Sequence, residues 1–399
     1  MGNKHKKPMV LLVLALLSLA LAGCWDLWEI DDRGIVMAIG IEEIPPEEVL
    51  QTQGLERQLI ESTNERALKI TYQFAVPSGF AGEGSSGGPA YVNLGTTALS
   101  SEVRLRGLIS TQSSRKGDLT HLQAVVLGPE VCKNGIYCVL ERFIRDPGVR
   151  RQISIFVTED DVAQVLDVNN PQEPMPALYL VSLTDNEDWA NRMPPDMQLG
   201  EISRRIRENA VYVVPRVAAG ENSLKMAGGG IFHGDRLVGW LGELETNAYR
   251  WIIGEVDTAP ILVAAPGSKG PRRTEGYLAE NTQSIRSVEI VDGQIKLKVK
   301  ISTEGTLVER QIKEVVWSNE ALAEVKKALA NRVSMDTKVL IKKAQEEWRL
   351  DLFGFGREVE KKYPQLWKEI KDEWNNLYFP GALVEVDVDV IINRTGTKR

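Results

Sequence analysis

The sequence predicts an α+β protein of several domains, with mixed sheets, packed helices, and a C-terminal domain made of an antiparallel sheet covered by two long helices. Three observations carry this. Apolar and polar residues alternate in strand-length stretches at both ends of the chain, as in Leu68, Ile70, Tyr72, Phe74 and Val76 and again in Val384, Val386, Val388 and Val390. A stripe of Leu322, Val325, Leu329, Val333, Leu340, Ala344 and Trp348 steps by three, four and seven, which is helical spacing with one buried face. Short turns at His233-Gly234-Asp235 and Asp292-Gly293 join neighbouring strands as antiparallel hairpins. The 399 residues suffice for two or three cores.

The first element is a leader. Lys4, Lys6 and Lys7 precede the apolar run from Met9 to Ala22, and Leu21-Ala22-Gly23-Cys24 closes it. Fourteen helical residues reach about 21 Å, short of the roughly 30 Å hydrocarbon core, so the run reads as a secretory signal peptide and not as a permanent span. Small residues before a cysteine resemble a bacterial lipobox. On that reading residues 1–23 are removed and Cys24 carries S-diacylglycerol and an N-acyl chain. Gly2 is no myristoylation site, because Lys6 stands where Ser or Thr is needed.

Beyond the leader, Gly34 to Ile41 and Ala67 to Val76 read as strands, the second half-buried. Pro45 to Arg66 is a charged excursion, and Pro77 to Pro89 a Gly- and Ser-rich loop without the Lys-Ser/Thr pair of a phosphate loop. Thr97 to Ser113 reads as a helix, Leu122 to Leu127 as a strand, and Pro129 to Arg145 as helical with a break at Asn134-Gly135. A strand from Arg150 to Thr158 and a short helix from Asp160 to Leu166 follow. The proline-rich stretch Asp167 to Gln198 reads as irregular, Gly200 to Glu208 as a basic helix, and Tyr212 to Ala218 as a strand. The turn Ala219 to Asn222 marks a domain border, giving an N-terminal region 24–222 of two subdomains and a C-terminal domain 223–399. In the latter, hairpins at 227–241 and 287–301 flank a helix from Glu243 to Gly254. Two helices follow, Asn319 to Leu350 and Val359 to Leu377, the second interrupted at Pro364. The last strand is Leu383 to Ile392.

Composition limits the function. Without Lys4, Lys6 and Lys7, 45 basic residues face 55 acidic ones, a formal charge of −10. Such a body gains little from nucleic acid or an anionic membrane surface, so membrane attachment rests on the lipid. Cys132 and Cys138 sit six residues apart on different helix faces, a spacing that favours two free thiols over a disulfide. Of three histidines, His5 leaves with the leader, His121 opens a strand and His233 occupies a turn. No nucleophile elbow, zinc-binding pair or other catalytic, cofactor or metal constellation is visible. Glu385, Asp387 and Asp389 form a flat acidic ladder, and Lys296, Lys298 and Lys300 a basic one. On neighbouring strands these would pair across the sheet.

Four segments together resemble one family. They are Gly23-Cys24-Trp25-Asp26 through Ile41; Arg145-Asp146-Pro147 through Thr158; Gly228-Gly229-Gly230 through Leu241; and Asp351-x-Phe353-Gly354-Phe355-Gly356 with Tyr363-Pro364, Trp367, Trp374 and Arg394-Thr395-Gly396. In this order they are similar to the Ger(x)C family (GerAC-, GerBC- and GerKC-like), the C-subunit lipoproteins of nutrient germinant receptors in endospore-forming bacteria. The resemblance implies a non-enzymatic subunit on the outer face of the spore inner membrane, with A-type and B-type membrane subunits as partners and no cofactor. It places nutrient binding on those membrane subunits and no ligand pocket here. The alternative is a solute-binding lipoprotein of a transporter, whose two similar lobes of parallel βαβ units the hairpins do not suggest. In the aromatic C-terminal segment, Trp348, Phe353, Phe355, Trp367 and Trp374 are expected to fill the corner between the two helices.

Overall fold

The computed structural model describes residues 32–45, 66–80, 88–99, 109–186, 191–264, 274–310 and 319–394. Nine strands form the first sheet: β1 (Arg33–Glu43), β2 (Ala67–Ala75), β3 (Tyr91–Leu99), β4 (Lys116–Asp118), β5 (Ala124–Leu127), β6 (Ser154–Val157), β7 (Val211–Ala219), β8 (Leu224–His233) and β9 (Arg236–Leu241). Their order is β3-β2-β1-β5-β6-β7-β8-β9, with β4 alongside β1. Strands β1, β5, β6 and β7 run parallel, and antiparallel hairpins extend the sheet at both ends.

Both faces of this sheet are covered. Helices α1 (Pro129–Asn134), α2 (Tyr137–Arg145) and α5 (Leu199–Arg207) pack Val131, Leu140, Phe143 and Ile202 on one side. Helices α3 (Val162–Val165) and α4 (Pro176–Thr184) pack Val162, Leu166, Ala177 and Leu180 on the other. Strand β2 is accordingly buried on both faces rather than half-buried. Three further expectations are corrected here. Residues 97–99 continue β3 instead of opening a helix, since Ala67↔Leu99 and Lys69↔Thr97 pair across to β2; within the expected helix, residues 109–112 are helical. The stretch expected to be irregular contains α4, whose N-terminal Pro176 fits a first helical turn. Strand β6 begins at Ser154, because residues 148–152 form turn and loop. The Ala219–Asn222 turn is the tip of the β7–β8 hairpin, with Ala219 opposite Leu224, so the sheet runs through it.

The second sheet has the order β10-β11-β12-β13, from β10 (Ala259–Ala264), β11 (Thr274–Val291), β12 (Gln294–Arg310) and β13 (Leu383–Arg394). The β11–β12 ribbon turns at Asp292 and Gly293, both with positive φ, as a two-residue hairpin turn requires. Helix α6 (Glu243–Ile253) precedes this sheet, and α7 (Asn319–Lys343) crosses it with Val325, Leu329, Val333 and Leu340 buried. A π-helical turn, Ala344–Trp348, ends α7. The chain then forms α8 (Phe355–Lys362) and α9 (Pro364–Ile370), separated at Tyr363 because Pro364 offers no N–H to continue α8.

One feature of the expected C-terminal sheet is corrected: β13 is parallel to β12, with Val299 opposite Val386. Helix α7 carries the chain back along the sheet, so β13 starts at the same end as β12, the strand–crossover–strand geometry of parallel pairs. The charge ladders do meet. Lys298 stands opposite Glu385 and Lys300 opposite Asp387; Lys296 pairs with Glu385, and Lys298 with Glu289 at 2.6 Å.

Candidate functional site

Cys24 and the lipobox residues Leu21, Ala22 and Gly23 lie outside the described residues. Cys132 is buried in α1, where desolvation raises its thiol pKa well out of the thiolate range. Cys138 is exposed and free, and its Sγ accepts a 3.0 Å hydrogen bond from Arg66 Nη1. His121 lies in an exposed turn ahead of β5, and His233 ends β8, half-buried, with its pKa lowered by desolvation. Among the described residues, no group of three or more His, Cys, Asp or Glu side chains is placed to hold a metal ion, and no helix is long and apolar enough to cross a membrane.

The family-like segment from Asp351 to Trp374 lies where the two sheets meet. The centre of this joint is Asp351, a largely buried carboxylate at the end of the π-helical turn. Its Oδ1 accepts N–H groups from Phe353 (3.1 Å) and Gly354 (2.9 Å). Its Oδ2 accepts Gly356 N–H (2.7 Å) and Trp374 Nε1–H (3.0 Å). One side chain thus satisfies Gly356 N–H in the first turn of α8 and two N–H groups of the loop before it, and fixes a buried indole. Around it Phe353 and Phe355 meet edge to face at 6.1 Å, and Trp367 and Trp374 at 5.5 Å. The chain can pass this close only with glycine at 356, where a Cβ would lie 2.8 Å from Trp367 and 3.0 Å from Trp374.

Trp348 is not in that corner. Its indole sits on Gly239 of β9, where a Cβ would approach Nε1 to 2.6 Å, and the Lys343 ammonium lies 4.7 Å from the ring centroid. Trp348 therefore docks the second unit onto the first sheet. The joint is reinforced by polar contacts that sequence periodicity does not signal. Arg250, 2% exposed, donates to Glu255 O (2.6 Å) and Met193 O (3.1 Å). Asn191 donates to Asn247 at 3.0 Å, and Lys343 pairs with Glu245 at 2.6 Å.

A groove of about 560 Å³ runs along this joint, lined by Arg205, Glu208, Tyr212, Arg286, Asp351 and Arg357 among others. The charged residues named here have protein partners. Glu201 binds Arg204 and Arg205, which holds its carboxyl below the usual range. Arg204 and Arg357 both reach Glu208, and Arg286 donates to Phe353 O.

Two family profiles match the chain in succession: the spore germination protein N-terminal domain over residues 26–219, and the spore germination B3/GerAC-like C-terminal domain over residues 227–396. Spore germination protein YndF of Bacillus subtilis (strain 168) is 28% identical, covering 100% of this chain and 99% of that protein. Spore germination protein A3 of the same strain is 26% identical over 97% and 98% of the two chains, and spore germination protein B3 is 24% identical over 92% of each. The crystal structure of the GerBC protein superposes with a TM-score of 0.58 at 22% identity, covering 84% of this chain and 95% of that one, which shows a shared fold. The chain belongs to the GerAC-like, or Ger(x)C, family of spore germination proteins.

Proposed function

We propose that this chain is a non-enzymatic, lipid-anchored subunit of a nutrient germinant receptor, required for spores to respond to nutrients. It would assemble with A-type and B-type membrane subunits on the outer face of the spore inner membrane. The observation that carries the reading is the span of the family match, from residue 26 to residue 396, beginning two residues after Cys24. The mature protein would thus be family sequence from its anchor onward. The two acyl chains of the S-diacylglycerol on Cys24 would already supply a stable anchor, at about 0.8 kcal/mol per buried CH₂, which an acidic body cannot replace electrostatically. The alternative, a solute-binding lipoprotein, is disfavoured by two unlike sheets, one of nine strands and one of four, where that class calls for two similar lobes.

Membrane fractionation of Cys24→Ala in a strain lacking the A-type and B-type subunits tests the anchor, since no partner can then retain the chain. The Ala variant is expected in the soluble fraction or as uncleaved precursor. Retention equal to wild type would defeat the lipid assignment. In the intact strain, the wild-type chain is expected to co-purify with both membrane subunits, and its deletion to abolish the nutrient response.

A further inference from the structure

A second cavity, of about 510 Å³, lies at one end of the first sheet, where the starts of β1 and β4 and the middle of β2 meet the buried face of α2. Three groups that line it leave donors unused among the described residues. Tyr72 is 3% exposed and its hydroxyl makes no hydrogen bond. Arg33 gives one terminal nitrogen to Asp118 at 3.1 Å, yet its buried Nε–H has no acceptor. Arg142 is 8% exposed and lies over the Phe143 ring, 4.9 Å from the centroid; among the described residues its guanidinium has no ion pair or side-chain hydrogen bond.

Orphaned buried donors and unpaired buried cations are costly; the buried Arg250, by contrast, is given two backbone carbonyls. The three groups agree on what is missing. A guanidinium Nε–H can only donate, Arg142 can only donate, and both carry positive charge. The Tyr72 hydroxyl, on the same cavity, can also donate. The complement is an anion with at least two acceptor oxygens. The wall also holds Lys116 and two carboxylates, Asp118, held by Arg33 and Thr120, and Asp146, which accepts from Gly148 N–H, so three cations face two anions; its apolar part is Val36, Ile109 and Leu119, and the volume falls within the range of small-molecule sites.

We infer that this cavity binds a small organic carboxylate bearing a compact apolar group. The carboxylate meets Arg142, Arg33 Nε–H and the Tyr72 hydroxyl, while the apolar group rests on Val36, Ile109 and Leu119. The inference stands apart from the receptor assignment, and it gives a ligand site to a chain for which the family resemblance implied none.

Titration calorimetry of the purified full-length chain in detergent tests it, with 3-methylbutanoate as the probe and inorganic phosphate as the comparison anion. Saturable 3-methylbutanoate binding is expected, weakened about tenfold or more in Arg142→Met and less severely in Tyr72→Phe. The ligand-free Arg142→Met protein is expected to melt at the wild-type temperature or above it, because the substitution removes an unpaired buried charge. A structural arginine would give the opposite sign. Absence of saturable binding at millimolar probe, or unchanged affinity in Tyr72→Phe, would overturn the site. Phosphate binding as tightly as 3-methylbutanoate would overturn the assignment to organic carboxylates.

Discussion

Val386 and Asp387 are neighbours on β13 with opposite fates, and exchanging their chemistry measures how firmly the C-terminal sheet is faced. Val386 lies opposite Val299 and is 8% exposed, in the same apolar cluster as Val325, Leu329 and Val333 of α7. Asp387 points to solvent opposite Lys300. In Val386→Asp the lost apolar burial costs about 2 kcal/mol. Holding the new carboxyl in this core adds about 3 kcal/mol, set by the pKa rise needed to keep it neutral. The sum, about 5 kcal/mol, lowers the urea midpoint of this unit by about 2 M at a typical slope of 2–3 kcal/mol/M. Asp387→Val changes stability by about 0.5 kcal/mol or less. The proton linkage has a definite sign. The buried carboxyl of the variant has a folded pKa above its unfolded one, so its deficit is greatest above the folded pKa and shrinks as pH falls toward the unfolded value near 3.9. Urea melts of the full chain followed by tryptophan fluorescence report the transition directly, since Trp348, Trp367 and Trp374 all lie in this unit. Equal midpoints for the two variants would refute the facing of β13.

Two further outcomes follow from the joint between the sheets, and a third from His233 at the end of β8. Gly356→Ala forces a methyl against Trp367 and Trp374 and is expected to cost about 1–3 kcal/mol, read as a lowered thermal midpoint. Asp351→Asn turns one acceptor oxygen into a donor facing other donors, Gly356 N–H and Trp374 Nε1–H among them. It is expected to cost about 2–3 kcal/mol, with a change in the near-ultraviolet tryptophan signal. Desolvation lowers the folded pKa of His233, so the unfolded chain binds the proton more readily. Its contribution to stability is therefore present at higher pH and lost as pH falls through the ordinary value of 6.5. His233→Gln should remove that part of the pH slope of the urea midpoint, and an unchanged slope would exclude it.

Local pattern determined a good deal of this protein. Period-two alternation located β2 and β13, the Asp292-Gly293 pair located the β11–β12 turn, and the apolar stripe oriented α7. These features share one physical basis: each depends on residues two to four positions apart, whose side chains share a face by backbone geometry alone.

Tertiary structure decided what depends on which segments meet. Whether β13 runs parallel or antiparallel to β12 is set by the path of α7, not by the alternation of its valines, which is identical either way. Residues 97–99 joined β3 because β2 offered them a ladder, and Trp348 left the expected aromatic corner because Gly239 of a distant strand opened a place for its ring. The carboxylate cavity was invisible for the same reason. Arg33, Tyr72 and Arg142 lie far apart in sequence, each is unremarkable where it stands, and only the stacking of β1, β2 and α2 brings their unpaired donors around one space.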